Sequence, residues 1–225
     1  MSKNPRIVLL HGTPVAMEPI QRSFAARWPE AEAVNLLDDA LSIDRAKDPD
    51  LTPRMFERFV ELGGYAQRIG ADAILVTCSA FGPAIQRMAG DLSMPVLKPN
   101  EAMFREALGM GQKVGGKKIG MLATFAPSVA TMTEEFDEFV RETGAAATLR
   151  TIVVDGAMDA LRKGDAETHN TLVAARASEL ADCDAIMLAH FSTSRALAKV
   201  SSAVSVPVLT APDAAVDRLK AMLPA

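Results

Sequence analysis

The chain is sparing with the residues on which most chemistry depends. Its 225 residues include two cysteines, three histidines, one tryptophan and one tyrosine. The cysteines, Cys78 and Cys183, lie far apart, which excludes the disulfide framework of small secreted domains. A single Trp and a single Tyr give no stacking platform for single-stranded nucleic acid. Positive charge is short as well. Lys and Arg number 24 against 28 Asp and Glu, a net charge of −4, and the cations are scattered rather than striped. That argues against a nucleic-acid partner. The first apolar run, Ile7 to Leu10, is far too short for a signal peptide or a membrane span. No His/Cys set has metal-ligand spacing, and no Gly-x-Gly-x-x-Gly, phosphate-loop or Gly-x-Ser-x-Gly motif occurs. The expectation is a cytoplasmic protein with reduced thiols, no metal, no cofactor, no membrane and no nucleic acid.

What is present is a regular alternation. Hydrophobic residues make up 49% of the chain, enough for a well-buried core. Strands are expected at 6–10, 33–37, 72–77, 95–97, 118–123, 148–154, 184–189 and 206–209. Helices are expected near 15–28, 52–69, 82–90, 100–110, 127–143, 157–162, 166–181, 193–200 and 211–222. Ala73-Ile74-Leu75-Val76 is apolar on both faces, as in a strand covered by helices on both sides. Thr52 suits a helix cap and Pro53 a first helical position, although Gly63-Gly64 weakens the interior of that helix. Gly109 to Lys118 reads as a loop. Strand–helix alternation implies an α/β fold with mainly parallel sheets.

The alternation runs twice. Asp72-Ala73-Ile74, Cys78 and Pro95-Val96-Leu97 recur as Asp184-Ala185-Ile186, His190 and Pro207-Val208-Leu209, at a constant offset of 184 − 72 = 112. Ile7, Leu10 and Phe24 map in the same way onto Ile119, Leu122 and Phe136. Two pseudo-twofold-related lobes are expected, with an active site in the cleft between them. Residues 1–98 form lobe one and 99–210 lobe two, and 211–225 is free to pack back on lobe one.

Cys78 and His190 then occupy equivalent strand ends, where open α/β sheets bind ligands. One proton-transfer group on each side of a substrate suits inversion at carbon. The start of a helix after Cys78 would lower its thiol pKa and offer N–H groups to a carboxylate. A small buried cysteine and a structural histidine are the plain alternatives. The strand-end turns supply further candidates for binding a substrate. These are His11, Thr13, Ser79, Ala80, Thr124, Phe125 and Ser192, although small and hydroxyl residues also serve ordinary turns and caps. His169 on a polar helix and the pair Asp38-Asp39 are expected to be solvated, and Cys183 structural.

With these residues in view, the chain resembles the aspartate/glutamate/hydantoin racemase superfamily, which also contains arylmalonate decarboxylases and maleate isomerases. Leu36-Leu37-Asp38-Asp39, Val76-Thr77-Cys78-Ser79, Pro95-Val96-Leu97, Leu122-Ala123-Thr124 and the two-lobe repeat carry the resemblance. It implies a cofactor-free enzyme in which two cysteines remove and return a proton next to a carboxylate. Cys78 matches the first cysteine, and His190 stands where the second is expected. Arylmalonate decarboxylases keep one cysteine, but theirs is the second. A racemase or isomerase acting on a small carboxylate-bearing substrate is the leading expectation. A decarboxylase or lyase using Cys78 alone is the runner-up, and a non-catalytic two-lobed binding module is the competing class. A homodimer is expected on base rate alone.

Overall fold

A computed structural model describes residues 4–109 and 116–223. Its contacts divide the chain into two compact units. One comprises the residues up to Pro99 together with the segment from Pro212, and the other is Asn100–Ala211.

The first unit holds β1 (Arg6–His11), α1 (Met17–Arg27), β2 (Glu32–Leu37), α2 (Ala40–Arg45), α3 (Pro53–Arg68), β3 (Ala73–Val76), α4 (Gly82–Gly90) and β4 (Val96–Leu97). All its strands are parallel, in the order β2-β1-β3-β4. Ile7 to Leu10 and Ala73 to Val76 are fully buried, as expected of central strands, whereas β2 alternates between half-buried and exposed residues at the sheet edge. Thr52 precedes α3 in extended conformation, but its side chain makes no capping bond; Pro53 alone supplies the start signal. Met55, Phe59, Gly63 and Ala66 form the buried stripe of α3. Gly63, expected to weaken this helix, has a packing reason. A Cβ there would lie 2.6 Å from Met88 Cγ on α4, so glycine is what lets the two helices close.

The second unit repeats the plan with α5 (Glu101–Gly109), β5 (Lys117–Ala123), α6 (Val129–Thr143), β6 (Ala147–Val153), α7 (Ala157–Arg162), α8 (Ala166–Ala177), β7 (Ala185–Leu188), α9 (Leu197–Ala203) and β8 (Val208–Thr210). Its strand order is β6-β5-β7-β8, again all parallel. Buried Lys117 donates to the carbonyls of Ala107 and Leu108, at 3.3 and 2.6 Å, and so caps the C-terminus of α5. Most of the expected loop 109–118 lies outside the described residues. The last helix, α10 (Ala211–Met222), lies almost wholly in the first unit. Ser23 of α1 donates to Asp213 at 2.6 Å, and Arg27 pairs with Asp217. No described helix is long and apolar enough to cross a membrane.

Candidate active site

In the first unit, β3 ends at Val76 and delivers Thr77 and Cys78 to the C-terminal edge of the sheet. Cys78 is buried. It precedes a short 3-10 turn, Ser79–Phe81, rather than an α-helix, and α4 begins only at Gly82. The expected lowering of the thiol pKa does not occur. Burial pushes it up to about 11; the Ala80 backbone N–H and the charge of Arg45 pull it down by less. Cys78 therefore rests as a neutral thiol. Gly12 lies against it, since a Cβ on Gly12 would sit 3.3 Å from Cys78 Sγ. Beside the thiol, the Ser79 hydroxyl is buried with no hydrogen-bond partner. Arg45, buried behind this turn, donates to the carbonyls of Ala80, Asp48 and Pro49 at 3.4, 2.6 and 3.3 Å.

His11 is fully buried and both ring nitrogens have protein partners. Nδ1 lies 2.8 Å from Thr77 Oγ1 and Nε2 2.9 Å from Asn35 Oδ1. The Asn35 carbonyl fixes the proton on Nε2, so Nδ1 accepts from the Thr77 hydroxyl. Burial lowers the His11 pKa to about 4 against a weaker upward pull from Asn35. His11 thus has no ring nitrogen free for a substrate, contrary to its expected binding role. Thr13 precedes the 3-10 turn Pro14–Ala16 and its side chain makes no cap bond. Asp38, expected to be solvated, is held by Arg58 of α3, with Nε to Oδ2 at 2.9 Å, and Arg58 also reaches Asp44 at 2.8 Å.

In the second unit, His190 stands two residues beyond β7. The Thr124 N–H donates to His190 Nδ1 at 3.3 Å, with the Thr124 and Thr193 hydroxyls at 3.2 and 3.4 Å. Nδ1 is therefore an acceptor, and Nε2 carries the proton. Nε2 lies 2.8 Å from Ser128 Oγ, which donates onward to the Phe125 carbonyl at 2.8 Å. Ser128 was not apparent as a site residue in the sequence, where it resembles an ordinary helix-start serine. Burial, and secondarily the charge of His169, lowers the His190 pKa to about 4. The Thr124 N–H, expected to face a carboxylate, is thus committed to the imidazole. Phe125 is half-buried, with the Arg162 guanidinium 5.8 Å from its ring centroid. Ser192 is buried in the 3-10 turn Ser192–Ala196. His169, expected to be solvated, is fully buried; its Nδ1 lies 2.8 Å from Asn170 Oδ1, its Nε2 has no partner, and burial lowers its pKa. Helix polarity misleads here because His169 shares the buried face of α8 with Val173 and Ala177. Cys183 is buried in the core with Leu122, Ile186 and Val200. Among the described residues, no group of three His, Cys, Asp or Glu is placed to hold a metal.

A thiol thus stands at one strand end and an imidazole at the matching end of the repeated parallel unit. The Asp/Glu/Hydantoin racemase family model matches residues 10–139. That span exceeds half of the chain, and the chain belongs to this family of racemase-type isomerases. A comparison with curated proteins finds no match. Among solved structures, a glutamate racemase isoform from Bacillus anthracis is similar at TM-score 0.78 and 14% identity, covering 98% of this chain and 82% of that one. Picrophilus torridus aspartate racemase is similar at TM-score 0.71 and 14% identity, covering 97% and 95%. Allantoin racemase from Klebsiella pneumoniae is similar at TM-score 0.71 and 15% identity, covering 97% and 87%. At these identities the likeness establishes the fold.

Proposed function

We propose that the protein is a cytoplasmic, cofactor-independent racemase that exchanges a proton at the carbon next to a carboxylate of a small substrate. Cys78 and His190 are its acid–base pair, and the enzyme works as a homodimer. The observation that carries this reading is the placement of Cys78: a neutral thiol beside Gly12, next to the unpartnered Ser79 hydroxyl, in a racemase-family chain.

The resting protonation states suit one direction of proton transfer. Neutral Cys78 is an acid, and the Ala80 N–H and Arg45 charge stabilise the thiolate left when it donates. Neutral His190 is a weak base through Nδ1. The contacts at Nδ1 run from 3.2 to 3.4 Å, against 2.8 Å to Ser128 at Nε2, so Nδ1 is the nitrogen more readily released. An imidazolium formed there keeps its Nε2–H on Ser128. The reverse turnover starts from thiolate and imidazolium, so the pair returns to its resting state after two inversions or by proton exchange with water. Thr13, Ser79, Ala80, Phe125 and Ser192 are assigned to substrate binding.

Proton NMR in deuterium oxide over amino, hydroxy and malonic acids, such as aspartate, glutamate, malate and malonate, tests this reading. Wild type is expected to place deuterium on the α-carbon of at least one of them and to invert it. Cys78→Ser is expected to lose exchange. His190→Ala is expected to lose inversion and, because Cys78 rests as a neutral thiol, to keep only the slow same-face exchange that its minor thiolate fraction supports. Full activity in Cys78→Ala overturns the proposal, whereas full inversion in His190→Ala overturns only the role of His190.

A further inference from the structure

We infer that the hydrogen bond between His11 and Thr77 is a positioning device for Cys78. His11 and Thr77 thereby become positioning residues of the proposed proton transfer. The inference rests on Cys78 being the reacting thiol, as proposed above. His11 closes β1 and Thr77 comes directly after β3, and these strands are neighbours with Leu10 opposite Val76. The backbone makes one stitch between them, the Thr77 N–H donating to the Leu10 carbonyl at 2.9 Å. The side chains add a second, Thr77 Oγ1 to His11 Nδ1 at 2.8 Å, and Asn35 holds the far side of the imidazole at 2.9 Å. The next residues along the chain are Gly12 and Cys78, the pair whose backbone and sulfur are in close approach. Two stitches at the last residue pair fix the direction in which the chain leaves each strand, and so the separation of Gly12 from Cys78 Sγ.

The second unit shows that the sheet itself does not need this device. Ala123 and Ala189 stand at the positions of His11 and Thr77, offset by 123 − 11 = 189 − 77 = 112, and both are fully buried. The backbone stitch is the same there, with the Ala189 N–H donating to the Leu122 carbonyl at 3.0 Å. On the ladder, Thr151 takes the place of Asn35, since Asn35 lies opposite Leu9 and Thr151 opposite Met121. Burying an imidazole carries a desolvation cost that alanine does not. The same strand end is built from two alanines in one unit and from a His–Thr bond in the other. The bond therefore serves the neighbouring residue that the second unit lacks, the thiol of Cys78.

Thr77→Val keeps the side-chain shape and removes the hydroxyl, and Thr77→Ser keeps the hydroxyl. Two quantities are read. One is the iodoacetamide alkylation rate of Cys78 by peptide mass mapping. The other is kcat and KM for whichever of aspartate, glutamate or malate wild type racemises. Thr77→Val is expected to lower kcat on the order of tenfold to a hundredfold with KM within about twofold, because sub-ångström misplacement of a reacting atom acts on the chemical step. Its alkylation rate is expected to depart from wild type, and Thr77→Ser to restore both quantities. Unchanged kcat and alkylation in Thr77→Val, with only the melting temperature lowered, overturn the inference. If Thr77→Val does not fold, Asn35→Ala at an exposed edge position replaces it, and is expected to move both quantities the same way by a smaller factor; no movement in either overturns the inference. Alkylation needs no substrate. A wild type that racemises none of the three therefore counts against the proposed function, while the alkylation rates still decide the positioning role.

Discussion

In both units the central strands hold the same register. Ile7 lies opposite Ala73 and Ile119 opposite Ala185; Ile74 lies opposite Val96 and Ile186 opposite Val208. The edge strand keeps its place on the ladder, but its residue numbers run four ahead of the repeat. Ile7 faces Ala33, but Ile119 faces Leu149, an offset of 149 − 33 = 116 rather than 112. The helix between those strands explains the difference, since α6 has 15 residues and α1 has 11. One added helical turn lengthens the connection by four residues and leaves the pairing of the strands unchanged. At the strand ends the units diverge in kind. Gly12 and Cys78 face each other in the first, Thr124 and His190 in the second. The frame is shared, and the difference is local to two or three residues at its rim.

The sharpest way to break this comparison is to remove each rim group in turn. Cys78→Ala is expected to cost about a thousandfold or more in exchange rate, near the upper range for losing a proton-transfer group. His190→Ala is expected to abolish inversion and to leave only a slow same-face exchange, through the minor thiolate fraction of Cys78. Equal losses, measured by deuterium wash-in, would show that the rims are equivalent despite their different residues.

Sequence patterning located all eight strands because the parallel core strands are short, apolar and separated by helices with clear faces. It missed α2, whose six residues are too few to show a helical period. The equivalent placing of Cys78 and His190 at the matching strand ends was legible from the repeat alone. The thiol's raised pKa was not, because spacing reveals a helix start but not the depth at which the sulfur lies. Nor was the loss of the Thr124 N–H to His190, or the removal of His11 from the ligand-facing set. Each depends on which way a side chain turns at a strand end, and periodicity does not encode that. The Asp38–Arg58 pair was invisible for a similar reason, as its partners lie 20 residues apart on different elements.

Acid should separate the units next. His11 in the first unit, and His169 and His190 in the second, all have pKa values lowered chiefly by burial. A depressed histidine pKa means the unfolded state binds more protons than the native state. Stability is therefore full above about pH 6.5 and falls with pH until the folded value near 4 is reached. For fully buried His11 the loss across that window is on the order of 3 kcal/mol. With two such histidines against one, the second unit is expected to lose hydrogen-exchange protection first between pH 6 and 4, read by mass spectrometry on peptides from each unit. Earlier loss in the first unit would show that its His–Thr bond, not the number of buried imidazoles, sets acid sensitivity.

Gly12→Thr copies the second unit's residue into the first. Its Cβ would approach Cys78 Sγ to 3.3 Å and Cys78 Cβ to 3.4 Å, so the thiol must give way. About 1–3 kcal/mol of stability is expected to be lost, as for other overpacked sites. A loss of kcat on the order of tenfold is expected with it. Wild-type activity in this variant would mean that the two rims tolerate each other's packing and that the glycine is not what seats the thiol.

The smallest effects belong where the units are the same. The Arg6 N–H donates to Asp72 Oδ2 at 2.7 Å, and the Lys118 N–H donates to Asp184 Oδ2 at 2.8 Å. Both aspartates also return a backbone bond, from the Asp72 N–H to the Arg6 carbonyl and from the Asp184 N–H to the Lys118 carbonyl, at 2.8 and 2.7 Å. Each aspartate thus ties the chain ahead of the central strand to the neighbouring one, at the sheet end opposite the rim. Asp72→Ala and Asp184→Ala are each expected to cost about 1 kcal/mol, the net worth of an accessible hydrogen bond, as read from denaturant midpoints at constant slope. Neither should alter exchange kinetics, because the change lies a full strand length from Cys78 and His190. A loss in one variant several times that in the other would mean that the shared frame is not equally stressed. The four residues added to the connection in the second unit would then alter its frame more than the shared register shows.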